Sequence, residues 1–326
     1  MSAGAFFLAL LITLVIREYA LKHLLDMPNQ RSSHQQPTPR GGGLGIVLAL
    51  MAVLPFFFVF GWVDDSRCLA LLAGLLIAVI GFWDDHQHIA ARWRICWHFL
   101  GAAIALYFLQ GFPPIILGDF VLDMQWPGYI LGCVFLVWML NLFNFMDGID
   151  GIAGSEAVFV ASALAAFMLF VEIDLAWLGL VIAMASLGFL VCNWPPAKIF
   201  MGDVGSGFLG FLLGVVILLY SHRQPVFLTV GLILFAVFIV DATYTLLARF
   251  FTGAKWYEAH CSHAYQKLAR QLGHVTVVNA VWAINLFWLL PLALTAFLAP
   301  GYAWAILVLA YLPLILVARR FAAGTA

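Results

Sequence analysis

The chain has 326 residues, 65% of them hydrophobic and only 10% charged, with a mean hydropathy of +1.04 and a formal net charge of −1. So little polar surface excludes a soluble globule of this length and leaves a polytopic membrane protein. The net charge says nothing about partners, because the bias between two membrane faces matters and the sum does not; nucleic acid is not an expected partner.

A hydrocarbon span takes about 20 apolar residues as a helix, and polar clusters cut the chain into roughly eleven such pieces. They lie near 3–22, 44–62, 68–83, 95–110, 128–144, 152–171, 175–192, 207–220, 226–250, 275–298 and 302–318. The expected fold is therefore all-α, with about eleven transmembrane helices. The first piece lacks a basic n-region and a small-residue cleavage site, so it reads as a retained span with its start outside. Alternation from there puts the connections 22–40, 84–94, 144–150, 193–206 and 250–274 on one side, with the C-terminal Arg319-Arg320. Of the 15 Lys and Arg, only Arg67 and Arg223 fall opposite, so the positive-inside bias makes that side cytoplasmic. The segment 115–126, with apolar residues alternating around Gly118-Asp119, fits a short outer β-hairpin or an irregular loop. Cys68, Cys96, Cys133, Cys192 and Cys261 stand singly, without metal or disulfide spacing, and read as structural. No internal repeat, low-complexity tract or soluble linker divides the chain, so residues 1–326 form one domain.

The polar motifs fall on the cytoplasmic connections. The first runs Asp26-Met-Pro28-Asn29-Gln-Arg31-Ser-Ser-His34-Gln-Gln-Pro37-Thr-Pro39-Arg40-Gly41-Gly-Gly43. Its prolines exclude a helix, and its glycines let backbone approach a neighbour or an anion. Arg40 beside a helix N-terminus is an anion site in principle, or a juxtamembrane contact for lipid headgroups. Asp84 and Asp85 follow where the third piece ends. Adjacent carboxylates repel, so they suit a divalent cation or phosphate chemistry; Asp64-Asp65 on the outer face reads as a solvated helix end. Asn141, Asn144, Asp147 and Asp150 recur every three residues and stack polar groups on one slowly turning face, until Gly148 and Gly151 break the helix. In Asn193-Trp-Pro-Pro-Ala-Lys-Ile-Phe200-Met-Gly-Asp203-Val-Gly-Ser206-Gly207 one carboxylate sits in a tight turn at a helix start. That suits hard oxygen ligation of Mg²⁺ together with substrate phosphates, while Phe200 could stack on a base or pack at the interface. Asp241 sits near the cytoplasmic end of the ninth piece, functional or paired with Arg249 or a loop histidine. His260 and His263 suit diphosphate contacts, or a Zn²⁺ pair. His86 and His88 read as interface residues, and Arg92-Trp93-Arg94 as a headgroup anchor.

Together these motifs, in this order from Asp26 to about His263, resemble the polyprenyl-phosphate N-acetylhexosamine-1-phosphate transferases, glycosyltransferase family 4. Pro37-Thr-Pro39-Arg40-Gly-Gly resembles the branch that starts O-antigen, enterobacterial common antigen or teichoic acid linkage synthesis. The resemblance implies a multi-pass enzyme of the bacterial cytoplasmic (inner) membrane with its active site facing the cytoplasm. It would move a sugar-1-phosphate from a UDP-N-acetylhexosamine onto undecaprenyl phosphate and release UMP, with Mg²⁺ as cofactor or Mn²⁺ in its place. It further implies that Asp203 and Asp84 ligate the metal, and that Asp84 and Asp85 handle the lipid phosphate. Asn193, Phe200 and Asp147 would belong to the nucleotide pocket, supported by Asn144 and Asp150. Asn141, Arg40, His260 and His263 complete the substrate-facing set, and a homodimer is compatible with it. The family often closes its last large loop with Arg-x-His-x-His-His. Here Tyr257-Glu258-Ala-His260-Cys-Ser-His263 takes its place, which leaves open which histidine meets the diphosphate.

Elementary chemistry supports the same reading. A phosphate oxyanion attacking a diphosphate joins two anions, so the site must neutralise charge and align the reacting atoms. The acceptor's chain belongs in lipid and the donor is water-soluble, so the site must open to both. Direct attack on the β-phosphorus, with Asp84 or Asp85 as base or orienting group, is the expected route, and a covalent aspartyl intermediate its rival. The alternative function is a transporter with an acidic ion site at the cytoplasmic face. A transporter site would sit near midplane between repeated halves. A CDP-alcohol phosphotransferase would place an Ala-Arg pair that Asp147-Gly148 does not begin.

Overall fold

The computed structural model describes residues 1–28, 36–118, 120–254 and 260–325. Helix α1 (Ser2–His23) leads into β1 (Leu25–Asp26), which pairs antiparallel with β2 (Thr38–Pro39) across the proline-rich connection. Then come α2 (Leu44–Val59), α3 (Asp65–Leu72), α4 (Gly74–His86) and α5 (Ala91–Leu109). The hairpin β3 (Ile115–Leu117) and β4 (Phe120–Leu122) pairs Ile116 with Val121, so the segment 115–126 is a hairpin; Asp119 at its tip lies outside the described residues. The chain continues through α6 (Gln125–Met146), α7 (Ile152–Met168), α8 (Ile173–Asn193), α9 (Asp203–Arg223), α10 (Val226–Leu234) and α11 (Ala236–Phe251). It ends in α12 (Ala264–Leu272), α13 (His274–Ile284), a π-helix (Asn285–Leu289), α14 (Leu290–Leu298) and α15 (Ala303–Arg320).

Each of the eleven apolar pieces lies in a helix or in a run of consecutive helices, and the protein is an all-α polytopic membrane protein. Among the described residues seven helical runs are long and apolar enough to cross a membrane, or eight if α10 and α11, bent by 73°, count as one. The count is below eleven because α2 and α7 are shorter, at 16 and 17 residues, and α5 carries Arg92, Arg94 and His98.

Helix α9 is the axis of the bundle. Its apolar window is buried throughout, as expected of a helix hydrophobic on every side. Small residues let neighbours close on it, since a bilayer supplies no hydrophobic drive between helices and packing must do so. A Cβ on Gly81 of α4 would lie 2.5 Å from the Asp203 carbonyl oxygen, and one on Gly205 would lie 2.5 Å from Gly43 Cα. The loop before α2 is zipped to the strand of chain before α9: Phe200 N–H donates to the Pro39 carbonyl (2.8 Å), and Gly42 and Gly43 N–H donate to Phe200 and Met201 (both 2.9 Å). These contacts bring the ends of α4, α6 and α8, and the starts of α2 and α9, to one end of the bundle.

Candidate active site

A cavity of about 270 Å³ opens at that end, lined by Asp26, Arg40, Asp85, Asn144, Asp147, Gly148, Ile149, Asp150, Asn193, Phe200, Gly202, Asp203 and Gln266. Residues up to 240 apart in sequence, Asp26 and Gln266, thus share one space. A neighbouring cavity of about 130 Å³ lies between α4, α5, α6 and α9. Its walls are Ile77, Ile80, Gly81, Ala91, Ile95, Leu140, Phe145 and Gly207, with Arg94, His98, Asn141, Asn144 and Asp203 as its polar part. Asn144 and Asp203 belong to both.

Asp203 starts α9, and its carboxylate is held at both oxygens. Oδ1 accepts from Asn144 Nδ2 at 2.9 Å and Oδ2 from Arg94 Nη1 at 3.0 Å. The same Arg94 nitrogen donates to Asp84 Oδ2 at 2.6 Å, and Asp84 Oδ1 accepts from Ile89 N–H at 2.6 Å. Asn144 Nδ2 is also 2.9 Å from Ser206 Oγ. Arg94 therefore bridges two carboxylates instead of anchoring headgroups with its neighbours. Its spacing from Asp84 carried no signal of this, since Arg92 and Trp93 beside it are exposed.

Asp85 is differently engaged. Its two oxygens accept the N–H groups of Asp203 and Val204, both at 3.1 Å, so it caps α9 from another helix. This satisfies orphan donors of a helix N-terminus. Arg40 donates to the Asp85 carbonyl and brings Nε to 3.8 Å from Oδ1. Gly202, at φ +75°, makes the turn possible: a Cβ there would meet Asp85 Oδ2 at 2.6 Å.

On the opposite wall, Asn193 holds the turn after α6 by accepting from Gly151 N–H and donating to the Ile199 carbonyl, both at 3.0 Å. Asp150 Oδ2 accepts from Ala197 N–H at 3.1 Å and lies 3.3 Å from His274 Nδ1. Asp147 ends α6. Burial pushes its carboxyl well above the usual carboxylate range, and the facing Asp203, Asp85 and Asp150 add to that. Five carboxylates and one arginine, Arg40, line the cavity, and Arg94 reaches Asp203 from the neighbouring one.

Asn141 lines the second cavity, not the first, and its amide donates to the Val137 carbonyl one turn back at 2.7 Å. Neither His260 nor His263 lines the first cavity. His263 is buried, its Nδ1 3.3 Å from Asp241 Oδ1, and burial lowers the His260 imidazole to about 4, helped by His263 and Arg249. Asp241 also accepts the N–H groups of Ala264 (3.0 Å) and Tyr265 (2.9 Å) and so fixes the start of α12. Tyr265 then donates to the Phe145 carbonyl at 2.8 Å, and Gln266 reaches the cavity beside Gly148. Asp241 thus pairs with a loop histidine, as one reading of the sequence held, and Gln266 is a lining residue that no motif announced. Asn29, Arg31, His34, Lys255, Tyr257 and Glu258 lie outside the described residues.

A divalent cation fits these donors. Mg²⁺ is usually held by one or two carboxylates with substrate phosphates supplying the rest; Asp203 lines both cavities, and Asp84, which lines neither, is joined to it through Arg94. No cluster of three or more His, Cys, Asp or Glu suited to a metal occurs among the described residues, which is no obstacle to that mode of binding and gives no support to a Zn²⁺ pair.

Residues 67–221 match the family model described as glycosyl transferase family 4. The chain is 30% identical over 287 residues to a probable undecaprenyl-phosphate N-acetylglucosaminyl 1-phosphate transferase of Bacillus subtilis (strain 168), covering 85% of this chain and 78% of that one. It is 31% identical over 236 residues to a phospho-N-acetylmuramoyl-pentapeptide-transferase of Listeria monocytogenes serotype 4b (strain CLIP80459), covering 67% and 71%. A decaprenyl-phosphate N-acetylglucosaminephosphotransferase of Mycolicibacterium smegmatis (strain ATCC 700084 / mc(2)155) is 31% identical over 252 residues, covering 68% and 62%.

Proposed function

The chain belongs to glycosyl transferase family 4, as a phosphotransferase of that family, and from that premise we propose that it transfers an N-acetylhexosamine-1-phosphate from a UDP-sugar to undecaprenyl phosphate. One observation carries the proposal: a polar, acid-lined cavity and a smaller cavity that adds an apolar wall of Ile77, Ile80, Ile95, Leu140 and Phe145 share Asp203 and Asn144. A soluble nucleotide sugar suits the first, and a phosphate at the head of a hydrocarbon chain suits the second. The reaction needs both at one point.

In this reading a phosphate oxygen of the lipid attacks the β-phosphorus of the donor. The bond from that phosphorus to the bridging oxygen breaks, and UMP leaves with the electron pair. Asp203 and Asp84 would hold Mg²⁺, which would offset charge on the diphosphate oxygens. Arg94, already between those two carboxylates, is the cation within reach of the incoming lipid phosphate. Phe200 supplies a ring face for the base, and Asn193, Asp147, Gln266 and Asp150 line the nucleotide side. Asp85 spends both oxygens on the α9 backbone, so we assign it to positioning Asp203 and not to proton transfer. A phosphate monoester is largely ionised near neutral pH, so no strong base is required. His260 and His263 act through α12 in this reading, not by contact with the diphosphate. The site end of the bundle faces the cytoplasm, in keeping with the basic residues gathered there.

The test is direct. Purified protein in detergent, given labelled UDP-N-acetylglucosamine, undecaprenyl phosphate and Mg²⁺, should form a lipid-linked diphosphate sugar and one UMP per product, and chelation should stop it. Related UDP-N-acetyl sugars follow if that donor fails. No lipid product from the whole panel would sink the proposal.

A further inference from the structure

Glu156 lies one turn inside α7, and the reaction makes no use of it. Its side chain is fully buried, and Oε2 accepts a 2.7 Å hydrogen bond from Asn285 Nδ2. Asn285 is 1% exposed and opens the π-helix between α13 and α14, a backbone irregularity often found where a side chain has a task. Each of these two planar groups has a second buried oxygen, Glu156 Oε1 and Asn285 Oδ1, and neither has a hydrogen-bond partner. An ionised carboxylate would leave both as orphan acceptors, a costly state away from water.

Among the described residues no charged side chain is paired with Glu156. Asn285 is the hydrogen-bond partner of Glu156 among the described residues. The helices packed on α7 are α6, α8, α9, α10, α13 and α14. Their charged or titratable acid and base residues stand only near helix ends: Asp174 on α8, Asp203, His222 and Arg223 on α9, His274 on α13.

We infer that Glu156 is a proton-binding site within the membrane, with Oε1 protonated and donating to Asn285 Oδ1 while Asn285 Nδ2 donates to Oε2. The proton converts one orphan acceptor into the donor that the other lacks, and removes the charge in the same step. Acid and amide then face each other through two hydrogen bonds. The ring ties α7 to the helical run His274–Leu298, whose first residue touches Asp150, so Glu156 is also a positioning residue for one wall of the nucleotide cavity. The protonation holds whatever the donor or reaction proves to be, and the positioning role rests on the proposed function.

The chain has four glutamates, Glu18, Glu156, Glu172 and Glu258, which makes infrared spectroscopy selective. Full-length protein in lipid nanodiscs, labelled with ¹³C-glutamate and held above neutral pH, should show a carboxylic-acid C=O band that shifts in D₂O and vanishes in Glu156→Gln. Only carboxylate bands in the labelled wild type would overturn the inference, and this measurement needs no variant. Glu156→Gln, which can form an amide–amide ring with Asn285, should melt with the wild type. Glu156→Ala and Asn285→Ala should both melt lower, with less than additive effect together, and should raise the donor KM more than they lower kcat. A rise in wild-type melting temperature with Na⁺ at constant ionic strength, lost in Glu156→Gln, would show a metal cation in place of the proton and refute it.

Discussion

Replacing Asp85 by alanine separates a capping role from a chemical one. The Asp85 carboxylate is 3% exposed and accepts two backbone N–H groups, from Asp203 and Val204, both at 3.1 Å. Removing it leaves two donors at the start of the most buried helix without partners. A buried donor left unsatisfied costs about 1–3 kcal/mol, so the loss should be roughly 2–6 kcal/mol if water does not enter the gap. The Arg40 contact adds little, because at 3.8 Å and 38% exposure it is largely screened. Asp85→Asn keeps one acceptor oxygen and should lose about half as much. Asp203→Asn keeps its own backbone N–H bonded to Asp85, so it should melt much nearer the wild type while losing turnover. Thermal unfolding in detergent, alongside initial rates of lipid product, measures all three. If Asp85→Ala melts with the wild type and only turnover falls, the carboxylate serves the chemistry and the capping argument is wrong.

Arg94→Ala leaves Asp84 and Asp203 without their shared cation. Each lost charged hydrogen bond is worth about 1.5–3 kcal/mol, so the rate should fall at least tenfold, whereas exposed Arg92→Ala should change initial rates little. Asp241→Ala frees two N–H groups at the start of α12; titrating the donor should show a raised KM with kcat largely kept, because Gln266 loses its seat. Asp147 supplies a pH test. Burial raises its folded-state carboxyl above the ordinary value, so the folded chain binds the extra proton and its stability should fall as pH rises above the unfolded carboxylate range. Metal-free wild type should therefore melt lower with rising pH, and Asp147→Asn should flatten that dependence in the same melting series.

Much of the architecture was legible in the chain because membrane insertion reads local composition. An apolar run must become a helix in lipid, where unpaired backbone groups find no water, and the eleven runs all became helical. Motif order and helix-end placement carried the family and the list of acids. Facing was not legible. Inside a bilayer the outward and inward sides of a helix are both apolar, so no polar stripe tells which side meets protein. Arg94 therefore reads as part of a headgroup anchor with Arg92 and Trp93, and Asn141 as one member of a single face with Asn144.

Sequence alone determined that this chain is a membrane-embedded member of its family, since hydropathy and contiguous motifs are properties of neighbours along the backbone. Only tertiary structure decided that Asp85 caps α9, that Arg94 bridges Asp84 and Asp203, and that His263 turns from the cavity toward Asp241. Each of those depends on hydrogen bonds between residues 10 to 119 apart in sequence. Such bonds form only after glycines such as Gly81 and Gly205 let the helices close to near backbone contact.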